Sequence, residues 1–150
     1  MAKVRECVID TVVLQKTNAP LAHAPRPHAK IRVRLQLLKR IRQGNLVVLA
    51  SKNLLEEYKR QITTPRNDYV QAFFALLDSN TVQWNWEKRW PGGDRARARK
   101  CRYPKEDDHV LRTAIRPHPS YIVTEEGRML KADQCIYRQF HVHIVEPDSI

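Results

Sequence analysis

The sequence predicts an α/β fold: a three-layer α/β/α sandwich around a central, mainly parallel sheet of five strands. Short β-branched runs alternate along the chain with segments whose apolar residues recur at helical spacing, the pattern of successive βαβ units. Strands linked in that way form a parallel sheet with helices on both faces. With 150 residues, 42% hydrophobic and 29% charged, four Gly and nine Pro, residues 1–150 suit one globular domain. That composition excludes collagen-like, low-complexity and wholly disordered chains.

Val4–Leu14 is a β-branched run broken by Asp10-Thr11, and reads as a buried strand ending at or just after the acid. Residues 15–28, with Pro20, Pro25 and Pro27, read as a loop. Ala29–Gln43 carries an alternating and a helical pattern at once, and the stop signal of Gly44 decides for a helix. Leu46–Ala50 is a short buried strand, after which Ser51 is placed to cap a helix over Lys52–Ile62. Pro65 opens a further helix through about Asp78 that buries Tyr69, Val70, Phe73, Phe74 and Leu77. Thr81–Trp86 reads as a strand with Val82, Trp84 and Trp86 on one buried face, and Pro91-Gly92-Gly93 begins an irregular arm. Glu106–Ile115 is a helix halted by Pro117; Tyr121–Thr124 is a strand; a helix fills much of 126–139; Val142–Val145 is the last strand.

The net charge of +11 is concentrated in two segments. Residues 26–42 carry Arg26, Lys30, Arg32, Arg34, Lys39, Arg40 and Arg42 with no acid, and residues 84–104 carry Lys88, Arg89, Arg95, Arg97, Arg99, Lys100 and Arg102 against Glu87 and Asp94. Such clusters gain affinity for a polyanion by releasing its counterions, so RNA or DNA is the partner expected, ahead of a merely solvated face. Arg32, Arg34, Lys39, Arg40, Arg89, Arg95, Arg97, Arg99, Lys100 and Arg102 are the candidate contacts, with Trp90 as a ring on which an unpaired base can stack. No apolar stretch exceeds the six residues Ala72–Leu77, far below the roughly 20 of a membrane-spanning helix. The start of the chain has no signal-peptide pattern, and Cys7, Cys101 and Cys135 have no CxxC or zinc-type spacing. Reduced thiols and a cytoplasmic location are therefore expected.

Acids recur where a parallel sheet places its function, beyond the carboxyl ends of the strands. Asp10 closes the first strand; Glu56 and Glu57 lie on the helix after the second; Asp107 and Asp108 start the helix before the fourth; Glu125 and Glu126 follow Thr124. Asp10 is the most telling, because an ionised group among Val8, Ile9, Val12, Val13 and Leu14 needs a partner or a metal. Glu56 and Glu57 differ by about 100° around a helix, so only one can share a site with Asp10, and Glu57 is chosen. His141 and His143 form an HxH pair without a third ligand, which favours a solvent-facing or partly buried pair over zinc. No P-loop or GxGxxG is present.

Taken in order, Val8-Ile9-Asp10-Thr11, Ser51-x-x-Leu54-Leu55-Glu56-Glu57-Tyr58, Asp107-Asp108-His109-Val110-Leu111-x-x-Ala114, Ile122-Val123-Thr124-Glu125-Glu126 and Val142-x-Ile144-Val145-Glu146-Pro147 resemble the signature of PIN-domain nucleases. That family includes small metal-dependent endoribonucleases and toxins of the VapC type. The resemblance implies that Asp10, Glu57, Asp107 and Glu126 are the catalytic acids, with Asp10, Asp107 and Glu126 holding one or two Mg²⁺ or Mn²⁺ ions. Thr11, Thr124, Glu56, Asp108 and Glu125 are secondary candidates. It also implies hydrolysis of RNA, single-stranded or structured, to a 5′-phosphate and a 3′-hydroxyl. Val12 stands where members often carry Asn, and Glu125-Glu126 where Gly-Asp is usual. The alternative is accordingly a PIN-like RNA-binding or assembly subunit without chemistry. An acidic antitoxin segment, an assembly partner and a second copy of the chain are the protein partners left open.

Overall fold

The computed structural model describes residues 4–21, 29–79, 83–84 and 90–150. At its centre, β1 (Arg5–Ile9), β2 (Leu46–Ala50), β4 (Ser120–Val123) and β5 (Val142–Val145) form a four-stranded parallel sheet. In place of a fifth full strand, the two residues of β3 (Gln83–Trp84) pair in parallel with the end of β2, so the order is β3-β2-β1-β4-β5. The rest of the expected strand Thr81–Trp86 lies outside the described residues. Consecutive residues of a strand point to opposite faces, yet Cys7, Val8 and Ile9 are all buried, as are Val48, Leu49 and Ala50. Both faces are therefore covered, consistent with a three-layer sandwich.

Eight α-helices lie among the described residues. They are α1 (Thr11–Thr17), α2 (Ala29–Arg42), α3 (Lys52–Gln61), α4 (Asp68–Leu77), α5 (Gly92–Lys100), α6 (Asp108–Ala114), α7 (Gly127–Lys131) and α8 (Asp133–Phe140). Helix α2 packs on β2 and α4, while α6 packs on β1, β2 and β4. Gly44, with φ +79°, ends α2 in the left-handed conformation that favours glycine. Ser51 caps α3 as expected, its hydroxyl accepting from Leu54 N–H at 3.3 Å and from the Thr113 hydroxyl at 2.7 Å.

Five boundaries differ from expectation. β1 stops at Ile9, because Asp10 is the extended residue before α1 and the run Val12–Leu14 belongs to that helix. Within it Val13, Leu14 and Thr17 are buried and Val12 faces out, a helical rather than a strand period. α4 begins at Asp68 instead of Pro65, since the Asn67 side chain caps it by accepting from Val70 N–H at 3.0 Å. The segment expected to be an irregular arm contains α5, whose Ala and Arg residues are strong helix formers. A 3-10 turn, Lys105–Asp107, precedes α6, and the helix expected over 126–139 is broken at Ala132.

The expectation of three reduced thiols is also corrected. Cys101 and Cys135, 34 residues apart, are joined in a disulfide that links the end of α5 to α8. Sequence spacing alone carries no information about which cysteines fold into bonding range. Cys7 is the free thiol, buried in β1, and burial pushes its pKa up to about 12. Among the described residues no helix is long and apolar enough to cross a membrane. Ser51→Ala removes the α3 cap and one of the two acceptors of the Thr113 hydroxyl, the other being the His109 carbonyl, and is expected to lower stability by about 1 kcal/mol. The midpoint of urea denaturation checks this.

Candidate active site

Chain order across the sheet reverses between β1 and β4, since β1 leads outward to β2 and β3 while β4 leads outward to β5. A crevice opens beyond the carboxyl ends of strands at such a switch point. Asp10 follows β1 there and Thr124 follows β4. Asp10 N–H donates to the Val123 carbonyl at 2.9 Å, and the Thr124 hydroxyl donates to Asp10 Oδ2 at 2.7 Å. Both residues are buried, Asp10 at 4% exposure and Thr124 at 0%. Tyr58, also buried, donates its hydroxyl to the Ile9 carbonyl and so fixes the backbone just before the acid.

Two further elements bring acids to this crevice. On α3, Glu57 accepts from the Thr11 hydroxyl at 2.6 Å and meets His109 Nε2 at 2.8 Å. Before α6, Asp107 is placed by the turn Lys105–Asp107, and its carbonyl accepts from the Tyr103 hydroxyl at 2.8 Å. Burial raises the pKa of Asp10 first of all, and the Glu57 charge adds to it against the Thr124 hydrogen bond. Asp107 is pushed up to about 6 by burial, then by the charges of Asp10 and Glu106, with a smaller push from Glu126. Glu57 shifts the other way, because the hydrogen bond with His109 outweighs burial and Thr11 adds to it. Burial pulls His109 down, but its bond to Glu57 and the charges of Glu57, Asp107 and Asp10 leave its pKa raised.

The four nominated acids thus differ in state. The charge of Asp10 acts on Asp107, and neither is ion-paired with Lys or Arg among the described residues. Glu57 is present but held by Thr11 and His109. Glu126 reaches the field of Asp107, yet its carboxylate caps α7 by accepting from Met129 N–H at 2.8 Å and pairs with Arg128 at 3.0 Å. Among the secondary candidates, Thr11 and Thr124 bind the acids as described and Glu56 is exposed. Asp108 is paired with Arg99, and Glu125 is clamped by Arg34 through two hydrogen bonds of 2.7 and 2.8 Å. His109 is the residue that sequence reasoning missed. Its one signal was a ring nitrogen donor inside the acid-rich stretch Asp107–His109.

The basic contacts divide as well. Arg32, Lys39, Arg95, Arg97, Lys100 and Arg102 are exposed. Trp90 is corrected from contact to core: it is 6% exposed and packs against the Phe140 ring, with Arg112 over its other neighbourhood at 5.9 Å. Arg34 and Arg99 are occupied by Glu125 and Asp108, and Arg40 donates to the Ile150 main-chain oxygen at 2.6 Å. Arg89 lies outside the described residues. His143 is stacked between Tyr121 and Tyr137, with ring centroids at 5.0 and 4.1 Å, as a partly buried ring should be.

The chemistry of the donors suits a hard divalent cation, which prefers oxygen ligands. Among the described residues no three His, Cys, Asp or Glu side chains are arranged to hold an ion by themselves. Mg²⁺ sites commonly use only one or two carboxylates, completed by water and substrate phosphate, and Asp10 and Asp107 are oxygen donors of that class. Comparison with protein-family models, with curated proteins and with solved structures gives no match to this chain.

Because Asp107 has its pKa raised from 3.8 to about 6, the folded chain holds that proton more tightly than the unfolded one between those values. Its contribution to stability is therefore present at low pH and lost as pH rises from about 4 to about 6. In metal-free buffer Asp107→Asn is expected to unfold at higher urea than the wild type near neutral pH, with the gap closing as pH falls toward 4. Denaturation midpoints across that range check the sign.

Proposed function

We propose that this chain is a metal-dependent endoribonuclease with a PIN-like fold, which hydrolyses phosphodiester bonds in single-stranded or structured RNA in the cytoplasm as a toxin or defence effector. The observation that carries this reading is Asp10 and Asp107: two carboxylates at the switch point, each with its ionised form disfavoured although the charge of His109 partly offsets this, and neither paired with Lys or Arg among the described residues. Buried repulsion of that kind is expected where an ion is to be bound.

In this reading Asp10 and Asp107 hold Mg²⁺ or Mn²⁺, with Glu126 as the third ligand once it leaves the α7 cap. When bound, one or two such ions polarise the phosphodiester and lower the pKa of the attacking water. Thr124 orients Asp10 by donating to its Oδ2. Thr11 and His109 fix Glu57, whose remaining lone pairs can orient water. Arg32 and Lys39 on α2, and Arg95, Arg97, Lys100 and Arg102 on and beside α5, would track the RNA backbone, which carries one charge per nucleotide.

One observation favours a second reading. The α7 cap and the Arg128 pair both hold Glu126 away from an ion, as expected of an RNA-binding or assembly subunit without chemistry. Incubation of a labelled single-stranded RNA with Mn²⁺ decides between them. Nuclease action predicts cleavage abolished by chelation, a loss of at least about a hundredfold for Asp10→Asn or Asp107→Asn, and a loss of about 10–100-fold for Glu57→Gln. Equal cleavage by the wild type and Asp10→Asn overturns the site, and salt-sensitive binding without cleavage supports the second reading.

A further inference from the structure

Helix α5 is unusual in how it is attached. Ala98 is the one residue of the helix that is buried, and its other positions are Gly, Asp, Ala, Arg and Lys, so it has no apolar stripe with which to dock. Among the described residues it has no extensive packing interface with any other helix or strand. It is held instead at a few points. Trp90, just before it, is buried against Phe140 of α8. Arg97 lies over the Phe140 ring at 4.9 Å, and Arg99 pairs with Asp108 at the start of α6. At its C-terminal cap, Cys101 is bonded to Cys135 of α8, and this is its one covalent tie to another element.

Those ties fix a cationic surface beside the candidate active site. Asp108, which receives Arg99, adjoins Asp107, while Arg95, Arg97, Lys100 and Arg102 remain exposed. Of the two cysteines, Cys101 is buried and Cys135 is partly exposed. In a cytosol, where thiols are kept reduced, the disulfides that do form are mostly transient or redox-sensing.

From this geometry we infer that the Cys101–Cys135 disulfide is a redox-controlled staple that presents α5 to the RNA backbone, so that its reduction weakens RNA binding. The inference rests on the RNA reading above. In the reductive step a small dithiol supplies two electrons and two protons: the Sγ–Sγ bond breaks, both cysteines become thiols, and the dithiol closes to its own disulfide. With that tie cut, the C-terminal end of α5 is held by the Arg99–Asp108 pair and the burial of Ala98 and Tyr103, so its charges are fixed less firmly and a polyanion gains less from each of them.

The test is the binding of a fluorescent single-stranded RNA, by anisotropy in EDTA so that nothing is cleaved, to the oxidised chain and to the chain reduced with dithiothreitol. Reduction is expected to raise Kd by about tenfold at low salt and to flatten the log Kd against log salt slope by about 2 to 3, the share of three phosphate contacts. Arg95→Ala with Lys100→Ala is expected to weaken the oxidised chain and to change the reduced chain little. Hydrogen exchange runs alongside: faster exchange confined to α5 and its flanks supports the staple, whereas loss of protection in β1 and β4 as well would make the bond a brace of the whole fold and overturn the inference. Equal affinity and slope in both redox states overturn it too. If the oxidised chain binds no RNA, the RNA reading itself fails, and the inference falls with it.

Discussion

The hydrogen bond from Thr124 to Asp10 closes the seam at which the sheet reverses its chain order, and the arrangement of the site follows from it. Both residues sit one step past the end of a central strand, and Asp10 N–H is also bound to the Val123 carbonyl. Two strands far apart in sequence are thereby locked in register with a carboxylate between them. Around that point the fold adds Tyr58 behind the Ile9 carbonyl, and Thr11 and His109 about Glu57. Each of these bonds orients a side chain that burial alone would leave free to choose another partner.

Charge is distributed in two tiers around the seam. The outer acids have arginines: Glu125 has Arg34, Asp108 has Arg99, and Glu106 and Glu126 share Arg128. Of the inner acids, Asp10 has the Thr124 hydroxyl, while Asp107 is raised by burial and by the charge of Asp10. Such a division is costly for an isolated chain, since two buried or half-buried carboxylates oppose ionisation. It is the arrangement expected where stability is given up for function. A neutral site built only for the fold would have replaced Asp10 with an apolar residue, because the three residues before it, Cys7, Val8 and Ile9, are buried and apolar.

The same tiers explain what could be read from the residues alone. Leu46–Ala50 and the helix after Ser51 were legible because strand, cap and helix follow one another with no competing pattern. Asp10 and Asp107 were legible as acids at a strand end and a helix start, and Glu57 as an acid on the helix after β2, since topology and not packing detail decides where those positions lie. Val12–Leu14 misled because β-branched residues on a buried helix face look like strand until burial separates Val12 from Val13 and Leu14. Trp90 misled because an indole among arginines suits base stacking and core equally well, and only Phe140, 50 residues on, decides for core. The disulfide and the role of His109 depend on partners brought together across elements, which no spacing encodes.

In the proposed reading Asp10 and Asp107 repel one another until a divalent cation joins them. Carbon-13 NMR of the side-chain carboxyls, followed through a pH titration with and without Mg²⁺, reads this directly. The account predicts that Asp107 titrates near 6 without metal, and that Mg²⁺ moves its midpoint down to or below the ordinary carboxylate range. An Asp107 that titrates as an ordinary surface carboxylate, or whose midpoint is indifferent to Mg²⁺, would contradict it.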